Sequence, residues 1–241
     1  MAKFQPAFSN EQLSLPRAGS GAVVADSSPQ RVLRNTYWLL ALSMLPTIAG
    51  AYAGLQFNFV RFFMAAPIMA PLLMLAVMIG ALFAVTALRN SAWGVPALFG
   101  FTFIAGLMLT PILTVALGLR NGGQIIGLAG GLTAAIFFAM AGIATVTKKD
   151  FSFMGKFLFV GVILLLVASV ANLFFQVPAL QLTIASIAVF IFSAYILFDV
   201  SRIVNGGETN YITATLSIFL DIYNIFISLL QILMALTGQR D

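Results

Sequence analysis

The chain has 241 residues, of which 61% are hydrophobic and 8% charged, with a mean hydropathy of +1.05. Soluble domains are roughly half apolar and about one quarter charged, so a water-soluble globule of this size is excluded. The absence of His and Cys removes Ser-His-Asp catalysis, His- or thiolate-held metals, disulfides and thiol redox chemistry.

Residues 1–30 are polar, rich in Ser, Gly, Pro and Ala, and lack the apolar core of a signal peptide. They read as a disordered cytoplasmic tail ahead of a membrane domain at 31–238. Beyond them the charges are sparse enough to mark out the spans. Residues 35–60, 62–88, 90–119, 121–147 and 157–198 carry no charge, and a membrane helix needs ~20 apolar residues. The 157–198 run breaks at Gln176-Val177-Pro178, and the final run, 211–236, is interrupted only by Asp221. An all-α integral membrane fold follows, with seven transmembrane helices at about 36–55, 65–88, 95–118, 122–146, 156–175, 179–203 and 211–236.

Seven spans with a cytoplasmic amino terminus place Lys3, Arg17, Arg31, Arg34, Arg89, Lys148, Lys149, Lys156 and Arg202 inside, and Arg61, Arg120 and Arg240 outside. That asymmetry obeys the positive-inside rule and puts the carboxy terminus on the side away from the cytoplasm. No basic cluster is longer than Lys148-Lys149, so the partners are the lipid bilayer and small ions, not nucleic acid.

Within the spans, Pro111 lies deep in the third and should kink it. The fourth carries small residues every four positions, Gly123, Gly127, Gly131, Ala135 and Ala139. This stripe suits close backbone approach, with packing inside the bundle favoured over a dimer interface. In the seventh, Ser217, Asp221, Asn224, Ser228 and Gln231 share one helix face. A carboxylate facing lipid at helix centre costs ~2.5–3.5 kcal/mol, so this face must look inward and the last helix should be central.

A second acid, Asp199, ends the sixth span. The connection from Asn205 to Asn210 offers Gly206 and Gly207 for a helix C-cap and Asn210 for the next N-cap. This short loop makes the sixth and seventh helices antiparallel neighbours, with the two acids offset by roughly 8 Å in depth. Two carboxylates sharing a low-dielectric site cannot both ionise easily, so Asp199 and Asp221 are the candidate pH sensor. Arg89 and Arg202 are the candidate latches, Arg202 alternatively pairing locally with Asp199.

The stretches Tyr195-Ile-Leu-Phe-Asp199, Asn205-Gly-Gly-Glu-Thr-Asn-Tyr-Ile-Thr-Ala-Thr-Leu216 and Phe219-Leu-Asp-Ile-Tyr-Asn-Ile-Phe-Ile-Ser-Leu-Leu230 resemble the signature of the Bax inhibitor-1 (transmembrane Bax inhibitor motif) family. Val32-Leu-Arg-Asn-Thr-Tyr37 and Lys148-Lys-Asp-Phe-Ser-Phe-Met-Gly155 are similar to its bacterial inner-membrane branch, which includes the modulator of the FtsH protease. The resemblance implies seven helices with the last at the centre. It also implies one of two non-enzymatic activities. The first is a pH-sensitive calcium leak, with Asp199 and Asp221 as the paired-aspartate site and an arginine near the second helix's inner end, Arg89, as latch. The second is binding and restraint of FtsH.

For the leak, the two acids with Asn224, Ser217 and water would give calcium a weak, passing site, and no other cofactor is expected. An intramembrane aspartyl protease is a poor match. Asp221 follows Ile218-Phe219-Leu220, not Gly-x-Gly, and the Pro-Ala-Leu motifs at 96–98 and 178–180 precede both acids.

Overall fold

The computed structural model describes residues 28–238, and seven of its helical stretches are long and apolar enough to cross a membrane. In chain order the helices are α1 (Pro29–Gln56), α2 (Val60–Ala65), α3 (Met69–Leu88), α4 (Gly94–Met108), α5 (Thr110–Leu117), α6 (Gly122–Thr147), α7 (Gly155–Phe175), α8 (Pro178–Val204) and α9 (Tyr211–Gly238). No strand occurs among the described residues. Of the predicted tail, residues 1–27 lie outside the described residues.

Three boundaries depart from the sequence reading, each for a local reason. The first helix starts at Pro29, not near residue 36. Proline suits a first helical turn, and Arg31 and Arg34 ride on the turns that precede the apolar stretch. The second span starts at Met69, because the chain breaks around Pro67 and leaves α2 as a separate short helix. Around α2, Phe59 stacks on Phe62, and Phe63 packs edge-on to both. The kink expected at Pro111 is a break at Leu109. Pro111 lies in the first turn of α5, where its missing N–H costs little.

Central placement of the last helix, expected from its polar stripe, is what the fold shows. No residue of α9 from Tyr211 to Ala235 is exposed, and α9 touches α1, α4, α5, α6 and α8. Several of its polar groups find partners there, since hydrocarbon offers no water to satisfy them. Thr215 Oγ1 donates to its own helix at Tyr211 O (2.7 Å) and reaches Thr36 O of α1 at 3.3 Å. Tyr223 Oη donates to Ala105 O of α4 at 3.0 Å. By contrast, α7 buries only Leu158 and Leu165 and packs on α8 at the periphery.

The α8–α9 turn has the chemistry its sequence predicts. Gly206 adopts φ +76°, where a side chain would be strained. Gly207 N–H donates to Arg202 O at 2.7 Å and Gly206 N–H to Ile203 O at 3.1 Å, the paired bonds of a Schellman stop. Asn210 Oδ1 accepts from the amides of Ile212 (2.9 Å) and Thr213 (3.1 Å), capping α9. Its Nδ2 donates to Arg89 O and Asn90 Oδ1, tying α9 to the α3–α4 connection. Asn210→Ala removes both roles and should cost about 1–2 kcal/mol. Thermal unfolding in detergent measures this, with Asn210→Asp falling between because it keeps the cap but not the donation to Arg89.

These contacts gather the start of α1 and the α3–α4, α6–α7 and α8–α9 connections at one end of the bundle. Arg31, Arg34, Arg89, Lys148, Lys149, Lys156 and Arg202 all lie at this basic end, and among the described residues Arg61 and Arg120 lie at the other. The α6–α7 connection is clamped to α8. Ser201 Oγ donates to Lys149 O (2.9 Å) and accepts from Phe151 N–H (3.1 Å). A Cβ on Gly155 would come within 2.9 Å of the Phe198 ring. Within the connection, hydrogen bonds from the Ser152 hydroxyl and amide hold the Asp150 carboxylate below its usual range.

The small-residue stripe of α6 does not pack inside the bundle. Gly123, Gly127, Gly131, Ala135 and Ala139 are all exposed, and a Cβ at any of the three glycines would meet nothing within 4 Å. The face that α6 buries, with Ile125, Ala129, Thr133, Ala141 and Ala144, lies on the other side of the helix.

Candidate functional site: the acids of α8 and α9

Asp221 stands about ten residues into α9 and keeps 4% of its surface exposed. Among the described residues its buried Oδ2 has no hydrogen-bond partner. Depth follows from helix position, and burial follows from five helices surrounding α9. Asp199, near the basic end of α8, is buried at 9% exposure. The two acids sit in each other's electrostatic field, and Tyr195, one turn before Asp199, lies in the field of both.

The latch candidates separate. Arg202 acts electrostatically on Asp199, as does Glu208. Its guanidinium lies 3.9 Å from the Glu208 carboxylate and 5.5 Å from the centre of the Phe198 ring. Arg202 thus serves Asp199 electrostatically while its close contact is with Glu208, which the Schellman turn folds back beside it. Arg89 is not brought to the acids. Its position at the C-cap of α3 leaves it exposed, and its carbonyl, not its guanidinium, is what binds Asn210.

The remaining polar stripe of α9 is graded in depth. Ser228 is buried, and Ser217, Asn224 and Gln231 are half-buried. Asn224 Nδ2 donates to Leu220 O of its own helix at 2.8 Å. One turn beyond Asp221, Asn224 and Tyr223 line a cavity of about 430 Å³ bounded by α3 and α4, including Met78 and Phe101. Among the described residues no group of three or more His, Cys, Asp or Glu is placed to hold a metal. Calcium takes 6–8 oxygen ligands, so two acids suit transient contact and not tight storage.

Sequence reasoning missed the clamp on α8 beside Asp199. The α6–α7 connection, fastened through Ser201, covers α8 two residues past Asp199. A serine in a helix beside a distant Lys-Lys-Asp connection carries no periodic signal, so only the fold reveals the pairing.

Comparison with known proteins agrees with this architecture. The family model described as inhibitor of apoptosis-promoting Bax1 matches residues 29–238. An uncharacterized protein of Pseudomonas aeruginosa is 43% identical over 213 residues, covering 88% of this chain and 93% of that one. The modulator of FtsH protease YccA of Escherichia coli is 40% identical over 206 residues, 86% of this chain and 90% of the relative. An uncharacterized membrane protein of Vibrio cholerae is 41% identical over 204 residues, 84% and 88% of the two chains. With the match running from the first described helix to the last, the chain is a multi-pass membrane protein that belongs to the Bax inhibitor-1 family.

Proposed function

We propose that this protein is a non-enzymatic cation leak of the bacterial inner membrane, passing calcium under control of the protonation of Asp199 and Asp221, with its basic end in the cytoplasm. One observation carries the reading: a carboxylate near mid-membrane on the central helix, with an oxygen that no group satisfies. Such a group brings the fold no stability, since burial penalises its charged form and nothing repays it. The titratable and charged neighbours that bear on the pair are Tyr195 and Arg202 of α8 and Glu208 of the turn. Arg31, Arg34 and Tyr37 of α1 lie towards the basic end, Tyr223 is on α9 itself, and α4, α5 and α6 carry no titratable side chain. Ser217 lies on the basic-end side of Asp221, and Asn224, Ser228 and Gln231 extend the polar line along α9 towards the opposite end. In proteoliposomes, calcium flux should vary across pH 6–8, and Asp199→Asn and Asp221→Asn should each flatten that profile. Unchanged profiles in both variants would sink the mechanism.

The second reading is favoured by the printed name of the Escherichia coli relative: a modulator that binds the membrane AAA protease FtsH. The basic end, with the Lys148–Phe151 connection fixed in shape by Ser201, offers the surface for it. Co-purification from native membranes should then recover the protease equally with wild type and with Asp221→Asn. No association at any expression level would reject this reading and leave the leak untouched.

A further inference from the structure

A feature that the acids leave unexplained is an apolar groove of about 760 Å³ on the outside of the bundle, between α1, α6 and α9. Along α1 it runs from Tyr37 to Ile48, and along α6 from Thr145 back to Gly130, with Tyr223 and Phe226 of α9 at its floor. Tyr37 and Phe137 meet edge to face across it, with ring centres 5.9 Å apart. Two glycines on the α6 wall keep it open, since a Cβ on Gly130 or Gly142 would meet nothing within 4 Å.

At ~1.5 Å rise per residue the groove is about 17–22 Å long, enough for acyl chains to lie along it through the ~15 Å of hydrocarbon in one leaflet. The wall residues are aliphatic, aromatic or threonine, and each threonine spends its hydroxyl on its own helix, Thr133 on Ala129 O and Thr145 on Ala141 O.

The end of the groove is marked by charge. Arg34 stands one turn before Tyr37 on the same face of α1, and Lys148 one turn past Thr145 at the end of α6. Both are exposed. Basic residues at the end of an apolar cleft between membrane helices are the usual recognition chemistry for anionic headgroups.

We infer that this groove is a specific site for an anionic diacyl phospholipid, its two chains lying between α1 and α6 against α9 and its phosphate held between Arg34 and Lys148. The lipid thereby touches the central helix within one or two turns of Asp221, through Tyr223 and Phe226.

Native mass spectrometry of the full chain in detergent, with phosphatidylglycerol or phosphatidylcholine of equal chain length, tests this. The wild type should keep one phosphatidylglycerol with about ten-fold the occupancy of phosphatidylcholine. The double variant Arg34→Gln, Lys148→Gln should lose the preference yet still hold lipid. Gly142→Leu, and separately Gly130→Leu, should lose tightly held lipid of either headgroup at unchanged helicity and melting temperature. Equal occupancy of the two lipids in the wild type overturns the site, as does lipid retention in both leucine variants. A dimer mass that disappears in the leucine variants would also overturn it, in favour of a second copy of the chain in the groove.

Discussion

Asp221→Asn is expected to reduce pH-dependent cation flux at least ten-fold while the protein in detergent melts no lower than the wild type. The two readouts should move apart because, among the described residues, the buried Oδ2 has no hydrogen bond to lose. The helix α9 is buried around the carboxylate whether or not it is charged. A carboxylate at helix centre costs about 2.5–3.5 kcal/mol on insertion scales, and an amide of the same shape relieves the part of that due to charge. Asp199→Asn should behave differently. Arg202 and Glu208 stay paired beside it, so that variant keeps a charged basic end and should retain more flux than Asp221→Asn. A loss of stability with unchanged flux would make Asp221 a structural residue. Equal effects of the two substitutions on flux would indicate that the acids act only as a unit.

On the proposed leak reading, the site should pass a cation and not store it, since among the described residues no group of three or more His, Cys, Asp or Glu is placed to hold one. Below Asp221 the stripe continues through half-buried Asn224 to buried Ser228, groups that can replace a few waters without trapping an ion.

Much of this was legible in the sequence, and the reason is the scarcity of charge. With few charges in the chain, each uncharged run fell on a helix, and the one polar stripe identified α9 as central. The Asn210 cap and the Gly206 stop were legible because they are local chemistry. What was not legible depended on which faces meet. Gly123, Gly127 and Gly131 form the more regular small-residue pattern, yet they face outward. Arg89 lay at the expected helix end, but it is exposed there while both acids are buried. The motif stretches at 32–37, 148–155 and 195–216 are far apart in the chain and converge in the fold. Thr36 O accepts from Thr215, Lys149 O from Ser201, and Gly155 lies against Phe198. Their shared location follows from tertiary contact, which no single stretch encodes.

The largest loss of stability is expected from Gly106→Ala. An added Cβ at Gly106 would overlap the Thr47 carbonyl of α1, and one at Gly50 would overlap the Phe103 carbonyl of α4. The two helices therefore cross with backbone on backbone, each glycine receiving the other helix. Carbonyls within a helix cannot rotate aside as a side chain can, so relief requires the helices to separate. Separation would loosen the α1–α4 contact along Leu39, Leu40, Leu98, Phe101 and Ala105, part of the same buried cluster. The cost should reach about 3 kcal/mol, the upper end for overpacking. Gly100→Ala on the same helix is the control. Its Cβ would meet open space, so it should gain up to about 1 kcal/mol from helix propensity alone. Thermal unfolding and size-exclusion profiles in one detergent compare the three proteins. If Gly106→Ala melted with Gly100→Ala, the close crossing of α1 and α4 would be wrong. Gly50→Ala, which strikes the same crossing from the other side, should match Gly106→Ala, and the two together should cost less than the sum because one separation relieves both.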